Sequence, residues 1–182
     1  MARVPYASRE SLGPGYSALF DRLEQERGKP VENVFTAIAN IPEVCEAVLH
    51  MATSLRKQTV IDRRFRELAV LTVGVETKSE YEFEHHWNSA VKAGVPLKKL
   101  ERIAEFETSP LFNDQERAVM RYAREATLQG EVTNSTWEAL CTFLDLQQRM
   151  ELVVTVAWYN CVVRILLPLR IEKEEWFVRL SS

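Results

Sequence analysis

Cysteine is scarce and scattered in this 182-residue chain: Cys45, Cys141 and Cys161 are its only three, and no two are close in sequence. An odd count without a C-x-x-C spacing excludes a vicinal dithiol and a closed disulfide framework. It fits free, mostly core thiols in a reducing cytoplasm. Basic clusters are missing too, and the formal net charge is −3, which excludes the phosphate-binding surface of a nucleic-acid partner. The start, Met1-Ala2-Arg3-Val4-Pro5-Tyr6, lacks a signal-peptide core. The most apolar stretch, Leu152 to Val163, is bracketed by Glu151 and Arg164 and is too short to span a bilayer. It reads as a buried helix, so no membrane association is expected.

Alternating apolar and polar runs, the signature of strands, are absent as well. What remains is helical punctuation. Helices are predicted over Tyr16–Glu26, Asn33–Ala39, Pro42–Lys57, Ile61–Val75, Ser79 to Gly94, Leu97–Phe106, Asn113 or Asp114 to Gly130, Thr133 or Asn134 to Leu144, and Gln147–Leu167 before Pro168. The expectation is all-α: a single-domain helical bundle over 1–182, with its core at about 16–168 between an N-terminal arm and a C-terminal tail. Two helices carry unusually apolar runs, Leu68 to Val75 and Leu152 to Val163, and both are expected to be central. One small core seldom wraps two such helices, which predicts a homo-oligomer.

The polar residues that can carry chemistry gather around these helices. Glu67 opens the uncharged run, where a carboxylate is costly unless paired or neutralised. Arg63 and Arg64, one turn earlier, offer an intrahelical salt bridge; a pocket carboxylate with a tuned pKa is the other reading. The densest cluster is Ser79-Glu80-Tyr81-Glu82-Phe83-Glu84-His85-His86-Trp87. Glu82 and His86 share a helical face, as do Tyr81 and His85. A carboxylate beside an imidazole makes a general base; equally, Ser79-x-x-Glu82 reads as a capping box. His85 and His86 point about 100° apart, and Glu82 with His86 gives too few ligands for zinc, so no metal is expected. In the last helix Tyr159, Asn160 and Arg164 either satisfy one another or contact a substrate anion.

Taken together, three segments carry a resemblance: Arg64-Phe65-Arg66-Glu67-Leu68-Ala69-Val70-Leu71, the cluster Ser79 to His86, and Ala90-Val91-Lys92-Ala93-Gly94-Val95. They resemble the core of the carboxymuconolactone decarboxylase / alkylhydroperoxidase D family. The peroxidase members share Glu, eleven residues, Cys, two residues, Cys, three residues, His. Glu67 and His86 match that Glu and His with the spacing intact, while Ser79 and Glu82 stand at the two cysteine positions. Ala157 to Arg164 is similar to the last helix of long members. The resemblance implies the all-α fold, oligomerisation and, since serine and glutamate cannot cycle as a dithiol, no family-type peroxidase chemistry. It implies a cofactor-independent decarboxylase, or a related lyase or isomerase, acting on a small oxygenated organic acid or lactone. Glu67 and His86 would then be catalytic, with Tyr81, Glu82, His85, Trp87, Tyr159, Asn160 and Arg164 around the substrate. An alkylhydroperoxidase-type oxidoreductase and a non-catalytic scaffold of the same fold are the alternatives.

Overall fold

The computed structural model describes residues 1–181. Among them there is no strand, and the elements are α1 (Arg9–Leu12), α2 (Ser17–Arg27), α3 (Asn33–Ile38), α4 (Pro42–Lys57), α5 (Arg63–Glu76), α6 (Glu80–Lys92), α7 (Leu97–Leu100), α8 (Asp114–Gln129), α9 (Asn134–Cys141) and α10 (Leu146–Leu169). The fold is all-α. Two compact units are distinguishable among the described residues, one of residues 1–59 with 166–177, the other of residues 60–165 with 178–181.

In the first unit, Leu19, Phe20 and Leu23 of α2, Phe35 of α3 and Leu49 of α4 are buried. The chain ends are tied down here: the Arg3 N–H donates to the Leu169 carbonyl at 2.8 Å, and the Asn33 N–H to the Glu174 carboxylate at 2.6 Å. Within the N-terminal arm, Ser8 and Ser11 form a reciprocal capping box around α1.

In the second unit α5 lies between two cores. Every residue from Arg66 to Gly74 is buried, as the uncharged run requires. On one side Ala69 and Val73 join Val119, Tyr122 and Ala123 of α8, Leu140 of α9, and Leu152 and Val156 of α10. On the other, Leu68 and Leu71 join Trp87 and Ala90 of α6, Ile103, Phe106 and Met120. The predicted helix over Leu97–Phe106 breaks into α7 and a 3-10 turn at Ile103–Glu105. Gly94 and Gly130 terminate α6 and α8 with φ of +86° and +77°, the left-handed geometry that favours glycine.

Gly74 sets how closely α5 and α6 approach. A β-carbon built there would lie 3.2 Å from the Phe83 backbone nitrogen and 3.3 Å from its α-carbon. Neither backbone atom can step aside without moving α6. Gly74→Ala is therefore expected to destabilise the protein by about 1–3 kcal/mol, read by denaturant unfolding.

Two expectations need correction. The last helix, predicted over Gln147–Leu167, runs Leu146–Leu169, and an 18-residue stretch of it has mean hydropathy 1.8, enough by length and composition alone to cross a membrane. Nor is it wrapped like α5. Leu152, Val156 and Val163 are buried, but Ala157 and Cys161 are exposed. Its apolar residues run all round the helix, and the described chain covers only one side. The thiols are not mostly core either: Cys45 is buried, while Cys141 and Cys161 are exposed.

Candidate acid–base site

The site grows from the α5–α6 hairpin. Asp62 caps α5, its carboxylate accepting from the Arg64 N–H at 2.8 Å, which places Glu67 just past the first turn. Only residues 77–79 separate α5 from α6. Gly74 meets Phe83 while Glu67 meets His86, so the two helices run antiparallel. A carboxylate near the start of α5 is thereby delivered to the middle of α6.

There the His86 ring lies between two carboxylates. Its Nδ1 is 2.7 Å from Glu67 Oε2, and its Nε2 is 3.0 Å from Glu82 Oε1. Carboxylate oxygens only accept, so the ring donates from both nitrogens and is an imidazolium. Arg66 completes the set, with Nη2 3.2 Å and Nε 3.4 Å from Glu67 Oε1. Arg63 approaches the same oxygen only to 3.9 Å from the half-exposed rim. Glu67, Glu82 and Arg66 are 3%, 4% and 6% exposed. Two buried carboxylates thus face one imidazolium and one guanidinium, so each buried carboxylate has a cation within hydrogen-bond reach. That pairing makes such burial tolerable.

The pairing decides the protonation states. Burial alone would depress the His86 pKa, but Glu67 and then Glu82 overcome it and raise it to about 9. Burial alone would raise that of Glu67, but His86 and then Arg66 hold it below the ordinary carboxylate range. A histidine raised in the folded state contributes stability that is complete below its unfolded pKa of about 6.5 and is lost as pH rises through about 9. Glu67 contributes above the ordinary carboxylate pKa and loses its contribution as pH falls through the depressed value. The cluster therefore holds the fold best between these ranges.

The structure brings together some of the residues singled out from sequence and separates others. Glu67, Glu82 and His86 meet, and the Tyr159 ring stands edge-on to His86 with centroids 4.6 Å apart. Tyr81 and His85 stack on each other at 4.1 Å, with His85 Nδ1 2.9 Å from the Tyr81 carbonyl. Trp87 is not on the wall of this cluster. Its Nε1 donates to the Leu180 carbonyl at 2.9 Å, and the Arg179 guanidinium covers its ring at 3.5 Å. Asn160 turns to α8, donating to Thr127 Oγ1 at 2.9 Å, and Arg164 donates to Asn160. Those two line a separate groove of about 470 Å³ with Tyr122, Ala126 and Val153. Neighbours on a helix diverge by about 100°, so Tyr159 and Asn160 serve different faces.

Three details depart from the sequence reading. Ser79 makes no side-chain cap, and Glu82 turns inward to His86 instead of back to the helix start, so there is no capping box. In consequence the second His86 nitrogen is not open toward a substrate. The partner arginine of Glu67 is Arg66, which sequence reasoning passed over because adjacent helical residues do not face each other; its long side chain reaches back to the carboxylate regardless. Arg64 pairs with Asp62. Among the described residues no group of three or more His, Cys, Asp or Glu is arranged to hold a metal ion.

Residues 42–125 match the Carboxymuconolactone decarboxylase family. No curated protein matches the chain. Among solved structures, an alkylhydroperoxidase AhpD core, a peroxidase-related protein from Ralstonia eutropha JMP134, superposes with a TM-score of 0.82 at 17% identity, covering 96% of this chain and 93% of that one. A peroxidase-related protein from Silicibacter sp. TM1040 gives 0.79 at 16% identity, covering 95% and 91%. The debrominase Bmp8 gives 0.78 at 17% identity, covering 93% and 91%. At these identities the likeness is one of fold.

Proposed function

We propose that this chain, whose residues 42–125 match the Carboxymuconolactone decarboxylase family and whose fold is that of alkylhydroperoxidase D-like proteins, is a cofactor-independent acid–base enzyme: a decarboxylase, or a related lyase or isomerase, of a small oxygenated organic acid or lactone. One observation carries the reading. The His86 imidazolium is held between the buried carboxylates of Glu67 and Glu82 at 2.7 and 3.0 Å, with Glu82 at a position where peroxidase members have a cysteine. A proton relay stands where a thiol relay would otherwise be.

The chemistry follows from which atoms are engaged. His86 has both nitrogens committed, so Glu82 is the group of the relay that exchanges protons with substrate. In a decarboxylation the carbon–carbon bond breaks, carbon dioxide leaves, and the electron pair stays as an enolate. His86 Nε2 first passes its proton to the Glu82 carboxylate, and the carboxylic acid so formed delivers that proton to the carbon, which returns Glu82 to the carboxylate. The neutral imidazole, still held by Glu67, is recharged from solvent. An isomerase uses the same relay, removing a proton from one carbon and returning it to another.

No thiol takes part. Burial pushes the Cys45 thiol up to about 11, and Cys141 and Cys161 lie on α9 and α10. The test is deuterium incorporation from D2O into α-angelica lactone, a small butenolide that isomerises by proton transfer. The wild type should catalyse exchange, and the combined Cys45→Ala, Cys141→Ser, Cys161→Ser variant should keep it within about threefold. Loss of exchange in a folded Cys-free protein would favour the oxidoreductase reading. Absence of exchange with butenolides and β-keto acids alike would leave the paired cluster as a stabilising element of a scaffold. The half-covered α10 supports a homo-oligomer as the working assembly, and the thiol usage supports a cytoplasmic setting.

A further inference from the structure

Ser8, Asp62, Asn113 and Thr133 each stand at the start of a helix, and each turns its side chain back to accept a first-turn N–H. Ser79 stands at the same position of α6 and does not. Its residue is 1% exposed, and its Oγ is buried without a hydrogen-bond partner. A local partner is available by the ordinary capping geometry, and buried hydroxyls are seldom left unpaired. A buried hydroxyl that leaves its local partner unused is available to donate to another acceptor.

Its surroundings say which. Ser79, the extended N-cap residue of α6, stands three residues before Glu82, whose carboxylate reaches His86 and through it Glu67. The Ser79 hydroxyl therefore sits at the positive end of the 13-residue helix that carries Glu82 and His86. A hydroxyl there donates well to an oxygen that carries or develops negative charge. A full carboxylate is disfavoured so close to Glu82; a neutral carbonyl is not. The geometry points to Ser79 as the residue that binds the carbonyl oxygen of the substrate beside the carbon that Glu82 protonates. This rests on the acid–base reading and extends it: the substrate is a carbonyl compound whose reacting carbon is conjugated to that carbonyl, and Ser79 stabilises the enolate oxygen.

The experiment uses two probes of one ring size, γ-butyrolactone, which has the carbonyl, and tetrahydrofuran, which lacks it. Binding to the full chain is measured by NMR titration, together with Tm of the unliganded proteins. The wild type should prefer the lactone, and Ser79→Ala should weaken lactone binding about tenfold while leaving tetrahydrofuran unchanged. Unliganded Ser79→Ala should melt within about 2 °C of wild type or above it, because the lost hydroxyl had no protein partner. A Tm lower by more than about 5 °C would make Ser79 structural and overturn the assignment. So would equal lactone affinity in both proteins, or a wild type indifferent to the carbonyl, which would leave Ser79 with water only. Ser79-dependent lactone binding without proton exchange would keep this inference and sink the acid–base function. Exchange and binding both unchanged in Ser79→Ala would do the reverse.

Discussion

Glu67→Gln is expected to lower the unfolding free energy by about 3–5 kcal/mol, the scale seen when one partner is taken from a buried ion pair. Glu67 is 3% exposed and touches two cations, the His86 ring at 2.7 Å and Arg66 at 3.2 Å. Glutamine preserves the volume and one acceptor but removes the charge. Arg66, 6% exposed and unable to lose its proton, loses the charged acceptor it has at 3.2 Å in Glu67. For a protein of this length the change corresponds to a fall of roughly 10 °C in Tm. Differential scanning calorimetry at pH 6 checks it, and a fall under about 2 °C would show that the pairing contributes little.

Glu82→Gln should have the opposite profile. A glutamine amide oxygen can still accept from His86 Nε2, so stability should change by less than in Glu67→Gln. It can no longer carry a proton to or from carbon. Exchange of substrate protons with solvent should fall by about 10²–10⁴-fold, the usual worth of a positioned acid–base group. The rate should drop in kcat with little change in KM, because the lost interaction belongs to the transition state. Single-turnover exchange at pH 7.5 reads the effect. An unaltered rate would move the proton-transfer role away from Glu82.

The two variants separate what the sequence made legible from what it hid. The helices were readable because their ends carry strong local signals, such as Pro42 in the first turn of α4 and Gly130 after α8. The meeting of Glu67 with His86 was readable too, since a three-residue turn between helices fixes antiparallel packing and a buried carboxylate needs a partner. Glu82 was ambiguous for a physical reason. Position N3 of a helix serves either a cap or an i+4 imidazole, and only the packing against α5 selects the second. Arg66 was hidden because its contact depends on a side-chain path, not on helical spacing. The exposed side of α10 was hidden because an apolar sequence reports that a face avoids water, without saying what covers it.

The central claim is that His86 is an imidazolium clamped between two carboxylates, and its titration tests this most directly. Two-dimensional ¹⁵N-edited NMR of the imidazole nitrogens follows the ring from pH 5 to 10, with the three histidines assigned by His→Gln variants. The account predicts that one ring stays protonated on both nitrogens through pH 7.5 and titrates near 9, and that its apparent pKa falls in Glu67→Gln and in Glu82→Gln. A His86 ring that is neutral at pH 7.5 and titrates at or below about 6.5 would contradict it.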